Sequence, residues 1–157
     1  MIQPKFLERG KFDVIGLKCI TSLKNNQNKK DVPELWNKFM KSQQNIKNKL
    51  NKNVFYGICI EDKNNAEDFE YIAGVEVKDF KDQQKELVTK KVPASKYAVF
   101  THKGDINEIE KTWDYIFGKW LPDSEIKLNQ KGLNFELYDE RYSDSKDSEV
   151  DIYIAIR

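Results

Sequence analysis

The chain of 157 residues has the length of a single domain and can bury a core without disulfides or metal ions. Its 27 lysine and arginine residues nearly cancel its 26 aspartate and glutamate residues, leaving a net charge of +1. So balanced a chain has no overall field to hold a nucleic-acid backbone or an anionic membrane, and we expect neither partner. The sequence also lacks the apolar run of about 18 residues that a membrane-spanning helix needs.

The two cysteines, Cys19 and Cys59, lie in apolar, strand-like runs and have no paired metal-binding spacing. The N-terminal residues "MIQPKFLERG" lack the apolar stretch of a secretory signal peptide. These features predict a reduced protein of the cytoplasm.

Two segments have helical periodicity. The first begins at Asp31, placed as a cap, with Pro33 in the first turn and Glu34 three residues after the cap. Its apolar residues are Leu35, Trp36, Phe39, Met40, Ile46 and Leu50. The second begins at Gly104-Asp105, and Pro122 is expected to end it. Its apolar residues are Ile109, Trp113, Ile116, Phe117 and Trp120.

Runs with strand character surround these helices, and the two halves of the chain repeat one order of elements. The runs are 12–22, 54–60, 69–77, 97–102, 133–139 and 150–156. The order strand, helix, strand, strand therefore occurs twice, in pseudo-repeats of about 12–77 and 92–156 within one domain, 1–157. Two similar halves packed side by side form an interface, a common place for a ligand groove. The alternative is a coincidence between two ordinary halves.

The segment 78–96 joins the two halves. Its apolar residues Leu87, Val88 and Val92 indicate that it docks partly on the body of the domain, and Pro93 leads into the next strand. A flexible hinge between the halves is not required.

The stretch "LNFELYDERY", 133–142, contains an unusual acid. Glu136 lies between Phe135 and Leu137 in a strand, where carboxylates are disfavoured. Asn134 and Tyr138 share its face and offer no cation, so a charge buried there would need a visiting partner. The alternative is that Glu136 faces water or pairs with a lysine of the adjoining strand.

The second half of the chain resembles the GyrI-like small-molecule-binding domain, the effector-binding domain of bacterial AraC-type and MerR-type multidrug regulators. The resemblance rests on a Tyr-x-Val-Phe strand, a His-x-Gly turn, a helix ending in Trp-Leu-Pro, a Phe-Glu-x-Tyr strand and a closing β-branched strand. It covers about the last 65 residues densely and the first half loosely.

The resemblance implies an α+β fold of duplicated strand-helix-strand-strand modules. An antiparallel sheet would carry two helices on one side, and a groove between the halves would bind lipophilic, often cationic, aromatic compounds through a buried acid and aromatic rings. Relatives that read DNA carry a helix-turn-helix outside this domain. The domain accounts for this whole chain, so we expect a stand-alone member without direct nucleic-acid binding.

We expect the ligand-binding residues to be Glu136, Tyr138, Tyr56, Tyr153 and Trp113. Aligning the halves places Tyr56 at the position of Glu136, which predicts that the two face each other across the groove. Tyrosines supply a flat apolar ring and a hydroxyl. The alternative for each ring is ordinary packing, and we leave Trp36, equivalent to Trp113, in the core.

Cofactor chemistry is not indicated by the sequence. His102, the sole histidine, has no acid or nucleophile beside it and is expected to shape the turn before Gly104. No metal-binding or phosphate-binding motif occurs, so we predict no metal and no cofactor.

Two functions of different class follow. In the first, the protein binds an aromatic or cationic small molecule and acts as a sensor, a sequestering protein or a modulator of a protein partner. In the second, which the resemblance to one branch of the family implies, it hydrolyses reactive cyclopropane-type toxins with Glu136 as general base, the one catalytic residue then expected. A domain whose groove binds a peptide is a third possibility.

Overall fold

The computed structural model describes residues 2–157, so Met1 of the predicted domain lies outside the described residues. Eight strands form one antiparallel sheet in the order β1-β6-β8-β7-β3-β4-β2-β5. The strands are β1 Lys5–Arg9, β2 Phe12–Ser22, β3 Phe55–Asp62, β4 Asn65–Val77, β5 Val88–Val92, β6 Ser95–Lys103, β7 Asn134–Tyr138 and β8 Glu149–Ile156. All six predicted strands are present, together with β1 and β5, which the sequence analysis missed.

The helices are α1 Asn28–Ser42, α2 Ile109–Tyr115 and α3 Leu121–Ser124, and a π-helical turn, Ile116–Trp120, joins α2 to α3. Three helix ends differ from the prediction. The first helix ends at Ser42, so Ile46 and Leu50 lie beyond it. Asp31 lies in the first turn of α1, where it accepts a hydrogen bond from Thr21 Oγ1 at 2.9 Å, so it is not the N-cap. Pro122 lies in the first turn of α3, where its missing N–H is tolerated, and the helical segment continues to Ser124.

The strand order is symmetric about the β7–β3 pair, as expected for duplicated modules. Each half begins with a short strand, β1 or β5, that pairs with the other half: β1 with β6, and β5 with β2. This reciprocal exchange ties the halves together. It also explains why segment 78–96 docks on the body, with Val92 fully buried and Leu87 nearly so.

The sheet is strongly curled. β1 and β2 are six strand spacings apart in the sheet, about 29 Å if it were flat. Only Gly10 and Lys11 separate them along the chain, so the Cα atoms of Arg9 and Phe12 lie at most about 11 Å apart. The two edges must therefore approach each other, and the sheet has a convex and a concave face.

The helix α1 and the helical segment from α2 to α3 pack on one side of the sheet, as predicted. That side is the convex face. Leu35 and Phe39 of α1 pack against the β2 and β4 half of the sheet, and Ile116 packs against β6 and β8. The concave face packs on itself through a third cluster that includes Phe12, Tyr56, Tyr97 and Phe135. No helix within residues 2–157 is long and apolar enough to cross a membrane.

Candidate ligand-binding site

Glu136 lies near the centre of the convex face, beneath the two helices. It sits opposite Gly57 of β3 on one side and Ile152 of β8 on the other, so all three share one face of the sheet. Its exposed fraction is 5%. The alternation of side chains along β7 therefore directs the Glu136 carboxylate into the protein.

Three neutral donors hold this carboxylate. Oε1 accepts hydrogen bonds from the hydroxyls of Tyr71 at 2.7 Å and Tyr138 at 2.8 Å, and Oε2 accepts one from Trp113 Nε1 at 2.9 Å. Glu136 takes part in none of the salt bridges formed within residues 2–157. The site thus has a buried acid whose hydrogen bonds are satisfied and whose charge has no cationic partner.

The ionisation of these groups reflects that burial. Burial raises the pKa of Glu136, and hydrogen bonds from Tyr71, Trp113 and Tyr138 oppose the rise because they stabilise the carboxylate. Burial, followed by the charge of Glu136, raises the pKa of Tyr71 and Tyr138 well above the ordinary value. Both tyrosines therefore remain protonated and donate their hydrogens to the acid.

A relay of hydrogen bonds links α1 to the same carboxylate. Trp36 Nε1 donates to the Tyr71 hydroxyl at 3.1 Å, and that hydroxyl donates in turn to Glu136. The ring of Trp36 also meets the ring of Tyr138 edge to face, with centroids 5.2 Å apart. Trp36 and Trp113, one from each half, therefore flank the acid, and both are only partly buried, like Tyr138.

Gly57 makes this approach possible. A Cβ atom at this position would lie 2.0 Å from the Tyr71 hydroxyl and 2.9 Å from Glu136 Oε1. The missing side chain leaves room for the two groups to meet across β3.

Comparison with known proteins decides the family. Residues 6–156 match the family described as integron-associated effector binding protein, Cass2. The chain belongs to this family.

One curated relative matches almost the whole chain in sequence. The transcriptional regulator BrlR of Pseudomonas aeruginosa is 34% identical over 154 residues, which are 97% of this chain and 54% of that protein. The chain thus spans about half the length of this curated relative.

Two solved structures share the fold. SAV2435, solved bound to tetraphenylphosphonium, superposes with a TM-score of 0.80 at 16% identity, covering 99% of this chain and 94% of that one. The integron cassette protein VCH_CASS2 of Vibrio cholerae superposes with a TM-score of 0.70 at 21% identity, covering 99% and 96%.

The structure of this effector-binding protein separates the five predicted site residues into two groups. Glu136, Tyr138 and Trp113 meet on the convex face. Tyr56 and Tyr153 lie on the concave face, opposite Leu137 and Phe135 respectively, so they cannot line a groove with Glu136. Tyr56 therefore cannot be the counterpart of Glu136: Gly57 pairs with Glu136, and successive residues of a strand lie on opposite faces.

Sequence reasoning missed Tyr71 and Trp36. Trp36 could have been found, because it matches Trp113 in the repeat and was assigned to the core on its helical spacing alone. Tyr71 gave no such signal, since only the pairing of β3 with both β4 and β7 brings its hydroxyl to Glu136.

His102 and the cysteines lie around the site without entering it. His102 Nε2 donates to the Asp105 carbonyl at 2.9 Å, and Nδ1 lies 2.7 Å from Thr112 Oγ1, so the ring ties β6 to α2. Cys19 and Cys59 are free and flank Tyr71 from the two neighbouring strands, and burial raises the pKa of each.

Two surface cavities lie away from Glu136. One, of about 280 Å³, is lined by residues at the far ends of β2, β3 and β4, including Ile20, Ile60 and Phe69. The other, of about 380 Å³, lies between segments 44–47 and 82–84. The surface beside Glu136 is formed instead by the partly exposed rings of Trp36, Trp113 and Tyr138.

Proposed function

We propose that this protein binds a lipophilic, aromatic cation over Glu136, between α1 and α2. The observation that carries the proposal is a carboxylate with 5% exposure and no salt bridge within residues 2–157. A bound cation would supply the missing charge partner. Trp36, Trp113 and Tyr138 are partly exposed, so an aromatic guest can reach the acid from their side.

The electrostatics of the site favour a cation over a neutral guest. An aromatic ring facing a cation contributes about 0.5 to 2 kcal/mol, most strongly for tryptophan. Oε1 of Glu136 already accepts two hydrogen bonds, whereas Oε2 accepts one, from Trp113. Oε2 is therefore the less satisfied oxygen of the carboxylate, and its charge lies beside the Trp113 ring.

The comparisons support this choice of ligand class. SAV2435, which shares the fold, was solved with tetraphenylphosphonium, a delocalised aromatic cation without N–H groups. The relationship to the regulator BrlR supports a role as a sensor that modulates a protein partner when the ligand binds.

The proposal is tested by titrating tetraphenylphosphonium into the wild type and the Glu136→Gln variant by calorimetry. Loss of the charge should raise the Kd by about tenfold or more, equivalent to about 1.4 kcal/mol. Glu140→Gln, a substitution of the same kind on an exposed residue in the turn after β7, should bind like the wild type. Equal affinity of the wild type and Glu136→Gln would refute the proposal.

The hydrolase hypothesis draws on the same acid. Burial raises the pKa of Glu136, as a general base requires, and Oε2 has room for one water hydrogen. A hydrolase of cyclopropane-type substrates should bind them after Glu136→Gln but lose turnover. Unchanged product formation in that variant would exclude Glu136 as the general base. Single-turnover assays separate an effect on the chemical step from an effect on substrate binding.

A further inference from the structure

The concave face contains a second group of aromatic rings, and Arg9 of β1 occupies it. The Arg9 guanidinium carbon lies 3.7 Å from the centroid of the Phe12 ring and 5.4 Å from that of Tyr56. Its Nη2 donates hydrogen bonds of 2.9 Å to the Tyr56 hydroxyl and to Glu76 Oε1. An acid, a hydroxyl and two ring faces therefore surround one planar cation, and we call these residues, Phe12, Tyr56 and Glu76, the concave cage.

The fold itself does not demand an arginine at this place. In the symmetric strand order, Arg9 at the end of β1 corresponds to Val92 at the end of β5. Val92 is fully buried and apolar, whereas the side chain of Arg9 is 24% exposed. Packing at the equivalent position is thus achieved without any charge, so the cation of the concave cage is particular to one half.

One hydroxyl next to the concave cage has no partner. Tyr97 is fully buried, and its hydroxyl makes no hydrogen bond within residues 2–157. Its ring lies 5.4 Å from that of Tyr153 and 5.5 Å from that of Phe135. A buried hydroxyl without a partner is unfavourable, and a guest with a polar group would satisfy it.

The occupant is held by an edge strand. β1 is an edge strand that pairs only with β6 among the described strands, and four of its five residues are exposed. Arg9 and Glu76 are both about one-quarter exposed, so solvent reaches the ion pair. Detachment of β1 would release Arg9 and open the concave cage to a dissolved cation.

From these observations we infer that the concave cage is a second binding site, which takes a planar guanidinium or amidinium cation in exchange for Arg9. Stacking on Phe12 and ionic hydrogen bonding to Glu76, the contacts that Arg9 now makes, recognise such a group. The concave cage is separate from the Glu136 site, because the two lie on opposite faces of the sheet. Since the Gly10-Lys11 tether keeps Arg9 at a high effective concentration, the free cation binds the wild type weakly.

Phenylguanidinium tests this inference, with calorimetry for affinity and amide hydrogen exchange for β1. Arg9→Met removes the charge and keeps an apolar stem, as at Val92, and should bind at least tenfold more tightly than the wild type. Arg9→Lys keeps a cation in place and should bind like the wild type. Adding Glu76→Gln to Arg9→Met should abolish the gain, whereas Glu136→Gln should leave affinity for this probe unchanged.

Hydrogen exchange keeps the test decisive if Arg9→Met fails to fold. Binding to the wild type should accelerate exchange of the β1 amides, because the guest displaces the strand. A ligand that instead slows exchange there, or an affinity that is the same with and without Glu76, would overturn the inference. Loss of binding in Glu136→Gln would show that the probe occupies the convex site instead.

Discussion

Glu136 shows how one residue can set the chemistry of a site. Its carboxylate is surrounded by hydroxyl and indole donors, which satisfy its oxygens but do not neutralise its charge. Hydrogen bonds of this kind compensate only part of the cost of removing a charge from water. The raised pKa of Glu136 is the measurable consequence.

We expect the stability of the protein to depend on pH through this residue. The folded-state pKa of Glu136 lies above its value in an unfolded chain, about 4.3, so the native state holds the proton more tightly. Stability from this proton is complete below the unfolded pKa and is lost as pH rises through the folded pKa. Relative to Glu136→Gln, the wild type should therefore lose free energy of unfolding as the pH rises above about 4 and through the folded-state pKa of Glu136.

Urea denaturation of both proteins across that range measures the effect. Glu140→Gln serves as the control for a substitution of the same kind on an exposed residue. A difference between wild type and Glu136→Gln that stays constant with pH would contradict the expectation.

At the scale of elements, the site depends on three neighbouring strands. β3 runs between β4 and β7, and Gly57 lets Tyr71 of one strand reach Glu136 of the other across it. Two kinds of contact therefore join the modules: the backbone hydrogen bonds between β3 and β7, and the side-chain hydrogen bond from Tyr71 to Glu136, which passes over Gly57.

Gly57→Ala should disrupt that contact. The added methyl group would overlap the Tyr71 hydroxyl, and overpacking of this kind costs about 1 to 3 kcal/mol of stability. Gly118→Ala is the matched control, since its Cβ meets nothing within 4 Å and alanine favours a helix. Denaturation gives the free energies, and tetraphenylphosphonium titration reports the site. A Gly57→Ala variant as stable as Gly118→Ala would show that Tyr71 moves aside freely.

The elements also show the limits of sequence patterns. Strands with long apolar alternation, such as β2 and β4, were predicted because their own residues specify burial. β1 and β5 are short, contain lysines and form only because β6 and β2 supply their partners from the other half. Local patterns do not contain that information.

At the scale of the whole molecule, the reciprocal exchange of β1 and β5 makes the halves interdependent. Each half lacks a strand that the other provides, although each repeats the same order of elements. We therefore expect the duplicated modules to fold as one unit.

A chain cut between Lys85 and Glu86, both exposed, tests this dependence. Fragments 1–85 and 86–157 expressed alone should show no cooperative thermal transition, because β1 and β5 would each lack a partner. Co-expressed, they should copurify and melt cooperatively, as followed by circular dichroism. A cooperative transition in either fragment alone, matching that of the uncut chain, would disprove the dependence.

The order of the repeated elements and the unusual acid at residue 136 could be read from the sequence, and the family resemblance implied the fold class. Periodicity and capping depend on neighbours along the chain, so these features can be read locally. Only the tertiary structure decided which face each tyrosine occupies, because a register shift of one residue reverses the face. It placed Tyr71 and Trp36 beside Glu136, and it moved Tyr56 and Tyr153 to the concave cage and its surroundings, through strand pairings between residues far apart in the chain.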